Sequence, residues 1–215
     1  MRYAYLHGFA SGPGARKAAA LAAALEGLAI ELARPDLNRP SFARLSVGAA
    51  LEEIDRMAAS APGDRWSLVG SSLGGYLAAR WAELRPDRVE RLVLLCPAFD
   101  PAALWPAIVG PSAFARWRAD GELSLPDATG TLVPVHWAFY EEMARAPAFP
   151  DVPCATRIVH GTRDETVPIA GSRRYAATRP HVSLCELDDD HSLLASAPRV
   201  VREVLAFFEL ASRPR

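Results

Sequence analysis

Leu68-Val69-Gly70-Ser71-Ser72-Leu73-Gly74-Gly75 decides how this chain is read. The stretch follows the apolar run WSLV at 66–69 and leads into YLAARWAEL at 76–84. A G-x-S-x-G pattern centred on Ser72 therefore lies between an expected strand and an expected helix, the setting of a nucleophile elbow. So tight a strand-to-helix turn strains the central serine and pushes it above the sheet edge. Gly70 and Gly74 suit it because side chains there would collide across the turn. At the helix N-terminus, amide groups and the helix dipole favour developing negative charge. The blander alternative is a glycine-rich turn whose serine only caps the helix. The flanking strand and helix favour a nucleophile, and Ser71, off the centre of the pattern, reads as structural.

Working outward, short apolar runs alternate with helical patterns, the signature of a parallel sheet covered by helices. Strands are expected at Arg2–Leu6, Ala29–Arg34, Trp66–Val69, Leu92–Leu95, Arg157–Val159 and Ser183–Leu187. Helices are expected at Ala15–Leu25, Leu45–Ser60, Leu73–Leu84, Ile169–Ala177 and Arg199–Leu210. Over Leu45–Ser60, Leu51, Ile54 and Ala58 recur at amphipathic spacing, with Glu52, Glu53, Asp55 and Arg56 between them. The chain reads as a single α/β domain over 1–215, a length that supports one substantial core.

The rhythm breaks between Pro97 and Pro153, where prolines recur and no strand–helix unit is visible. Eight of the eighteen aromatic residues fall there, which points to a packed, functional insert rather than a loose loop. A mostly helical cap over about 98–153 is expected. Its aromatics suggest an apolar acyl or aryl pocket, with Trp105, Trp137 and Phe139 as candidate lining residues. A hydrophobic cap core accounts for them nearly as well.

A serine hydroxyl needs a base to take its proton. The strand Arg157–Val159 ends in His160-Gly161-Thr162-Arg163-Asp164-Glu165-Thr166-Val167-Pro168, and Pro168 can start a helix. Asp164 thus stands at the sheet edge where Ser72 stands, the edge at which sites form. The strand Ser183–Leu187 runs into Asp188-Asp189-Asp190-His191, placing a histidine at another strand end. Ser72, Asp164 and His191 are the candidate nucleophile, acid and base. The three aspartates could hold a metal, but a solvated turn capping the last helix fits them better. His7 and His160 are expected to bond backbone in their loops, His181 to lie on the surface, and His136 to pack in the insert, with a contact to substrate as the alternative.

At the first strand end stands His7-Gly8-Phe9-Ala10-Ser11-Gly12-Pro13-Gly14. Acyl transfer needs pre-placed donors for an oxyanion, each worth about 100- to 1,000-fold in rate. The backbone N–H groups of Leu73 and Phe9 are the candidates.

A formal net charge of -1 with mixed signs gives no nucleic-acid footprint and no polybasic membrane patch. Lys17 is the only lysine among 24 basic residues, which fits a composition bias. Cys96, Cys154 and Cys185 make neither a disulfide framework nor a zinc spacing, and no H-E-x-x-H occurs. No metal and no cofactor are expected. MRYAYLHGF leaves no room for a secretory leader, and the apolar stretch from Ala18 is broken by Glu26, Gly27 and Glu31. These points favour a cytoplasmic protein acting on a small molecule, with homo-oligomer formation left open.

The pieces HGFASGP, GSSLGGYLA, LVLLCPAF, HGTRDETVP and DDDHSL, in that order, resemble the α/β-hydrolase superfamily over essentially the whole chain. The order Ser, Asp, His is that of the superfamily's triad. More narrowly, HGFASGP and GSSLGGY resemble the small bacterial YqiA-type esterases. The resemblance implies hydrolysis of carboxylic esters, and of thioesters such as acyl-CoA, by Ser72, Asp164 and His191. It places the cap after the sixth family strand, with the first two family strands missing. Serine at the elbow argues against epoxide hydrolases and haloalkane dehalogenases, which carry aspartate there. C–C bond hydrolases and acyltransferases keep the same triad, and a ligand-binding protein on a hydrolase shell is the alternative from another class.

Overall fold

The computed structural model describes residues Met1–Leu210. Six strands form one wholly parallel sheet: β1 (Arg2–Leu6), β2 (Leu32–Ala33), β3 (Trp66–Ser71), β4 (Val89–Leu95), β7 (Thr156–Gly161) and β8 (Val182–Leu187). Their order across the sheet is β2-β1-β3-β4-β7-β8. The numbering reverses direction at β1–β3, and ligands bind in open α/β sheets outside the strand carboxyl ends near such a switch.

Both sheet faces are buried, which is why the central strands read as continuous apolar runs rather than alternating ones. Ala4, Leu6, Leu68, Leu92 and Leu94 face a core shared with α2 (Val47–Ala59) and α3 (Leu73–Leu84). Tyr3, Tyr5, Val69, Val93 and Val159 face the core under α1 (Arg16–Glu26) and α8 (Ala197–Phe207). Ser46 caps α2 by accepting from the Ala49 N–H at 3.1 Å.

The expected strand at Ala29–Arg34 shrinks to Leu32–Ala33. Helix α1 closes through Leu28, Ala29 and Ile30 N–H groups that return to Leu25 and Glu26 carbonyls, and Ala29 takes a left-handed φ of 56°. Those amides are spent on ending the helix, so they cannot extend the ladder.

Between β4 and β7 lie α4 (Pro101–Val109), α5 (Pro111–Asp120), β5 (Glu122–Pro126), β6 (Leu132–His136) and α6 (Ala138–Arg145). The expectation of a mostly helical insert missed the antiparallel hairpin β5–β6. Its signal was present in the alternation of ELSLP and LVPVH. Asp127 turns the hairpin by accepting from the Thr129 and Thr131 N–H groups.

Trp117 is fully buried where helices and hairpin meet, and its indole donates to the Val135 carbonyl at 2.8 Å. Trp105, Trp137 and Tyr140 surround it. The insert is tied to the sheet domain by the Tyr76 hydroxyl on Pro147 O, by Tyr175 on Pro150 O, and by Ser46 donating to the Glu142 carboxylate. Replacing Trp117 by alanine should cost about 3–5 kcal/mol of stability. Urea denaturation followed by circular dichroism checks this, and a loss under 1 kcal/mol would mean that the insert's order does not depend on this indole.

Candidate active site

The elbow has the strain its sequence predicts. Ser72 stands between β3 and α3 at φ 55° and ψ -120°, in the left-handed half of φ space that non-glycine residues seldom enter. A Cβ on Gly70 would stand 2.3 Å from Gly74 O. One on Gly74 would stand 2.2 Å from Leu6 O and 2.4 Å from His7 O. These glycines are required by backbone packed on backbone. The Ser72 carbonyl accepts from the Gly75, Tyr76 and Ala98 N–H groups, and its own N–H donates to Leu95 O, so the serine is held from four directions.

The first loop comes to the same place. A Cβ on Gly8 would lie 3.1 Å from Ser72 Cβ. The loop is pinned by His7, which is buried and neutral by its bonding: Nδ1–H donates to Gly8 O at 2.9 Å, and Nε2 accepts from Leu37 N–H at 2.9 Å. Among the described residues, neither the Phe9 N–H nor the Leu73 N–H donates a hydrogen bond. Both residues line a cavity with Ser72, so two unspent amides are available where an oxyanion would need donors.

Asp164 and His191 meet as a pair. His191 Nδ1–H donates to Asp164 Oδ2 at 2.7 Å, which fixes the tautomer that leaves Nε2 without a proton. Asp164 Oδ1 accepts from the Thr166 and Val167 N–H groups at 2.9 and 2.8 Å. Burial on its own would raise the Asp164 carboxyl, but hydrogen bonds from His160, His191 and Val167 hold it well below the usual carboxylate range. Ser72 and His191 line the same cavity without a hydrogen bond between their side chains, an arrangement that commonly tightens only with substrate.

His160 is a partner of Asp164 that the sequence reading missed. It is fully buried, and its Nε2 lies 2.9 Å from Val167 O and 3.1 Å from Asp164 Oδ2, while Nδ1 lies 2.8 Å from Ser172 Oγ. A carbonyl only accepts, so Nε2 carries a proton, and Nδ1 is bonded to the serine hydroxyl. The expected backbone bond is there, but the carboxylate contact could not be inferred from a histidine four residues upstream on a strand. Cys96 joins His160 and Asp164 in one buried cluster. Both His160 nitrogens are engaged, and burial pushes the Cys96 thiol up to about 12, so the group works as a hydrogen-bonding shell for Asp164.

The aspartate run resolves into three separate tasks. Asp188 pairs with Arg163, Asp189 accepts from the Ser196 N–H just before α8, and Asp190 accepts from Ser192. Gly161 lets this loop approach, since a Cβ there would stand 2.4 Å from Asp189 O and 2.6 Å from Asp190 O.

A cavity of about 170 Å³ opens over Ser72 and His191, walled by Phe9, Leu104, Trp105, Ile108, Met143 and Val167. Trp105 is thus brought to the site. Phe139 is buried behind it, 6.0 Å from Trp105 and 6.2 Å from Phe9 by ring centroids. Trp137 is not brought there; it stacks on Tyr140 at 4.4 Å, in the insert's own core. Leu104, Ile108 and Met143 have no local signal, because only the folding of the insert turns them inward.

A family model described as Uncharacterised protein family (UPF0227) matches residues 2–209. The chain belongs to that family. UPF0227 is YqiA-like, in agreement with the narrower resemblance of the sequence. No curated protein matches the sequence. Among solved structures, the chain is similar to alpha/beta hydrolase domain-containing protein 10 from mouse, at 22% identity and TM-score 0.79, over 98% of this chain and 90% of that one. It is similar to Est1E from Butyrivibrio proteoclasticus with ferulic acid bound, at 18% identity and TM-score 0.81, over 98% and 89%. It is also similar to a putative hydrolase of the alpha/beta superfamily from Xanthomonas campestris pv. campestris, at 26% identity and TM-score 0.64, over 97% and 98%. The fold of this UPF0227 member is the α/β-hydrolase fold. No described helix is long and apolar enough to cross a membrane.

Gly161→Ala should displace the His191 loop and lower turnover by about 100-fold, the scale expected when a reacting group moves by about 1 Å. Ester hydrolysis measured beside circular dichroism checks this, and full activity in a folded variant would refute it. The depressed Asp164 carboxyl gives a second expectation. Its ordinary pKa is about 4, so the stability it contributes is complete above that pH and is lost as the pH falls toward the depressed value. Urea titrations from pH 7 to 3 should show a steeper acid-side loss than in Asp164→Asn, and equal slopes would refute it.

Proposed function

We propose that this protein is a serine hydrolase that cleaves carboxylic esters or thioesters of small to medium acyl groups through an acyl-enzyme intermediate. The observation that carries the reading is the His191–Asp164 hydrogen bond of 2.7 Å beside a strained Ser72 in the same cavity. Names of the structural neighbours, which include an α/β superfamily hydrolase and a ferulic acid complex, agree with a hydrolase.

In this mechanism, His191 Nε2 takes the Ser72 proton as Oγ attacks the acyl carbonyl. The Phe9 and Leu73 amides receive the oxyanion. His191 then gives its proton to the departing alkoxide or thiolate, and the acyl group stays on Ser72. Water enters, loses a proton to Nε2 and attacks the acyl-enzyme; the acid departs and the proton returns to Ser72. Asp164 orients the imidazole and stabilises its cation, remaining ionised throughout. Its depressed carboxyl suits that role. The apolar cavity suits an apolar acyl group. The reaction needs no cofactor.

A fluorophosphonate probe followed by peptide mass spectrometry tests the reading. Labelling is expected on Ser72 and is expected to vanish in Ser72→Ala and His191→Ala. Turnover in Ser72→Ala should fall on the order of 10⁴- to 10⁶-fold. An unlabelled but folded protein would overturn the proposal in favour of a ligand-binding role for the hydrolase shell.

A further inference from the structure

Ser72 and His191 also line a second cavity, of about 270 Å³, on the side away from the insert. Its chemistry differs from the first. Where the apolar cavity has Leu104, Trp105 and Met143, this one has Ser11, Arg16, Lys17, Ser71 and Ser192. Arg16 and Lys17 open helix α1, whose first turn contains no acidic residue. Among the described residues, neither side chain forms an ion pair or a hydrogen bond, whereas Arg65, Arg85 and Arg173 pair with Glu90, Asp55 and Glu186. Lys17, the single lysine of the chain, is half-buried and also lines an apolar cavity with Leu21, Val69, Val200 and Val204.

Among the described residues, the nearby acids make no direct pair with these cations and are engaged elsewhere. Asp188 is paired with Arg163. Asp189 spends its oxygens on the Asp190 and Ser196 N–H groups. Asp190 accepts from the Ser192 N–H and hydroxyl. Asp164 belongs to His191 and His160. Burial lowers the Lys17 amine, while Asp164, Asp190 and Asp189 pull it the other way. A cation that lines a cavity with Ser72 and has no direct partner is a docking point for an anion, whose binding would restore the charged form that burial disfavours.

We infer that the Arg16–Lys17 cavity is a leaving-group subsite that binds a carboxylate or phosphate carried by the alcohol half of the ester. The inference rests on the hydrolase reading above. Ser192 and Leu194, from the loop of His191, line this cavity and not the apolar one. His191 protonates the leaving group, so the departing half lies on its loop's side and the acyl half lies under the insert. The substrate class is then an ester with an apolar acid and an anionic alcohol.

Matched esters test this: 4-(butyryloxy)benzoate, 4-(butyryloxy)benzamide and 4-(butyryloxy)phenyl phosphate, compared by kcat/KM. The benzamide has nearly the same leaving-group electronics as the benzoate without its charge. The unaltered protein should prefer an anionic ester by about tenfold, the scale of one charge-assisted hydrogen bond. Which anion gains more tells carboxylate from phosphate. Lys17→Met and Arg16→Met should each shrink the preference severalfold, Lys17→Arg should keep it, and added salt should erode it. No preference in the unaltered protein, or one unchanged in both methionine variants, overturns the subsite. Arg16 is exposed, so its variant decides the matter if Lys17→Met does not fold. Hydrolysis of none of the three esters would count against the hydrolase reading instead.

Discussion

Gly74 has a carbonyl oxygen on either side of the place where a Cβ would stand, Leu6 O at 2.2 Å and His7 O at 2.4 Å. That contact brings the end of β1 against the start of α3, and much of the site depends on it. With Gly74 bare, the first loop can lie over Ser72, and Gly8 can approach its Cβ. Phe9 and Leu73 then line one cavity with the serine, and among the described residues neither amide spends its proton elsewhere. A methyl group at this point would push the two backbones apart and separate those donors, leaving the serine's own chemistry unchanged but its surroundings dismantled. The positive φ of Ser72 is sustained by the same crowding, since four backbone hydrogen bonds to the residue offset a conformation that costs of order 1–3 kcal/mol.

A second close approach organises the other half of the site. Gly161 receives the carbonyls of Asp189 and Asp190, so the loop bearing His191 lies directly on the strand end that leads to Asp164. The carboxylate is then surrounded: two amides on Oδ1 and two imidazoles on Oδ2. Such saturation keeps it ionised inside the protein despite burial. It also fixes two histidines for different purposes. His160 has both nitrogens engaged, whereas His191 keeps one nitrogen free at the cavity. The free valence, more than the residue type, distinguishes a base from a structural histidine.

The insert and helix α1 give the serine two unlike sides. Apolar side chains from α4 and α6 close one side, and the basic start of α1 opens the other. The insert can present Trp105 inward because Trp117, Trp137 and Tyr140 supply a small core of its own. The cavity walls thus come from pieces outside the sheet, while Ser72, Asp164 and His191 stay at strand ends whose positions the sheet fixes.

Local chemistry in the sequence determined the elbow, the parallel sheet and the three candidate side chains, because each rests on short-range signals: glycines beside a serine, apolar runs buried on both faces, polar residues at strand ends. The positions of Ser72, Asp164 and His191 are legible as strand-end loops without any knowledge of the contacts between them. Other features depend on segments distant in the chain. His160 gains its carboxylate partner only through the turn at Asp164, Trp137 is drawn from the pocket into the insert's core, and Lys17 shares a cavity with Ser72 only because the start of α1 reaches the strand ends. The strand at Ala29–Arg34 shortened because helix α1 claimed its first amides. Sequence therefore determined which groups could react, through local backbone geometry. Tertiary structure decided which of them share a cavity and which charges are left unpaired, because burial and partner choice are settled by residues far apart in the chain.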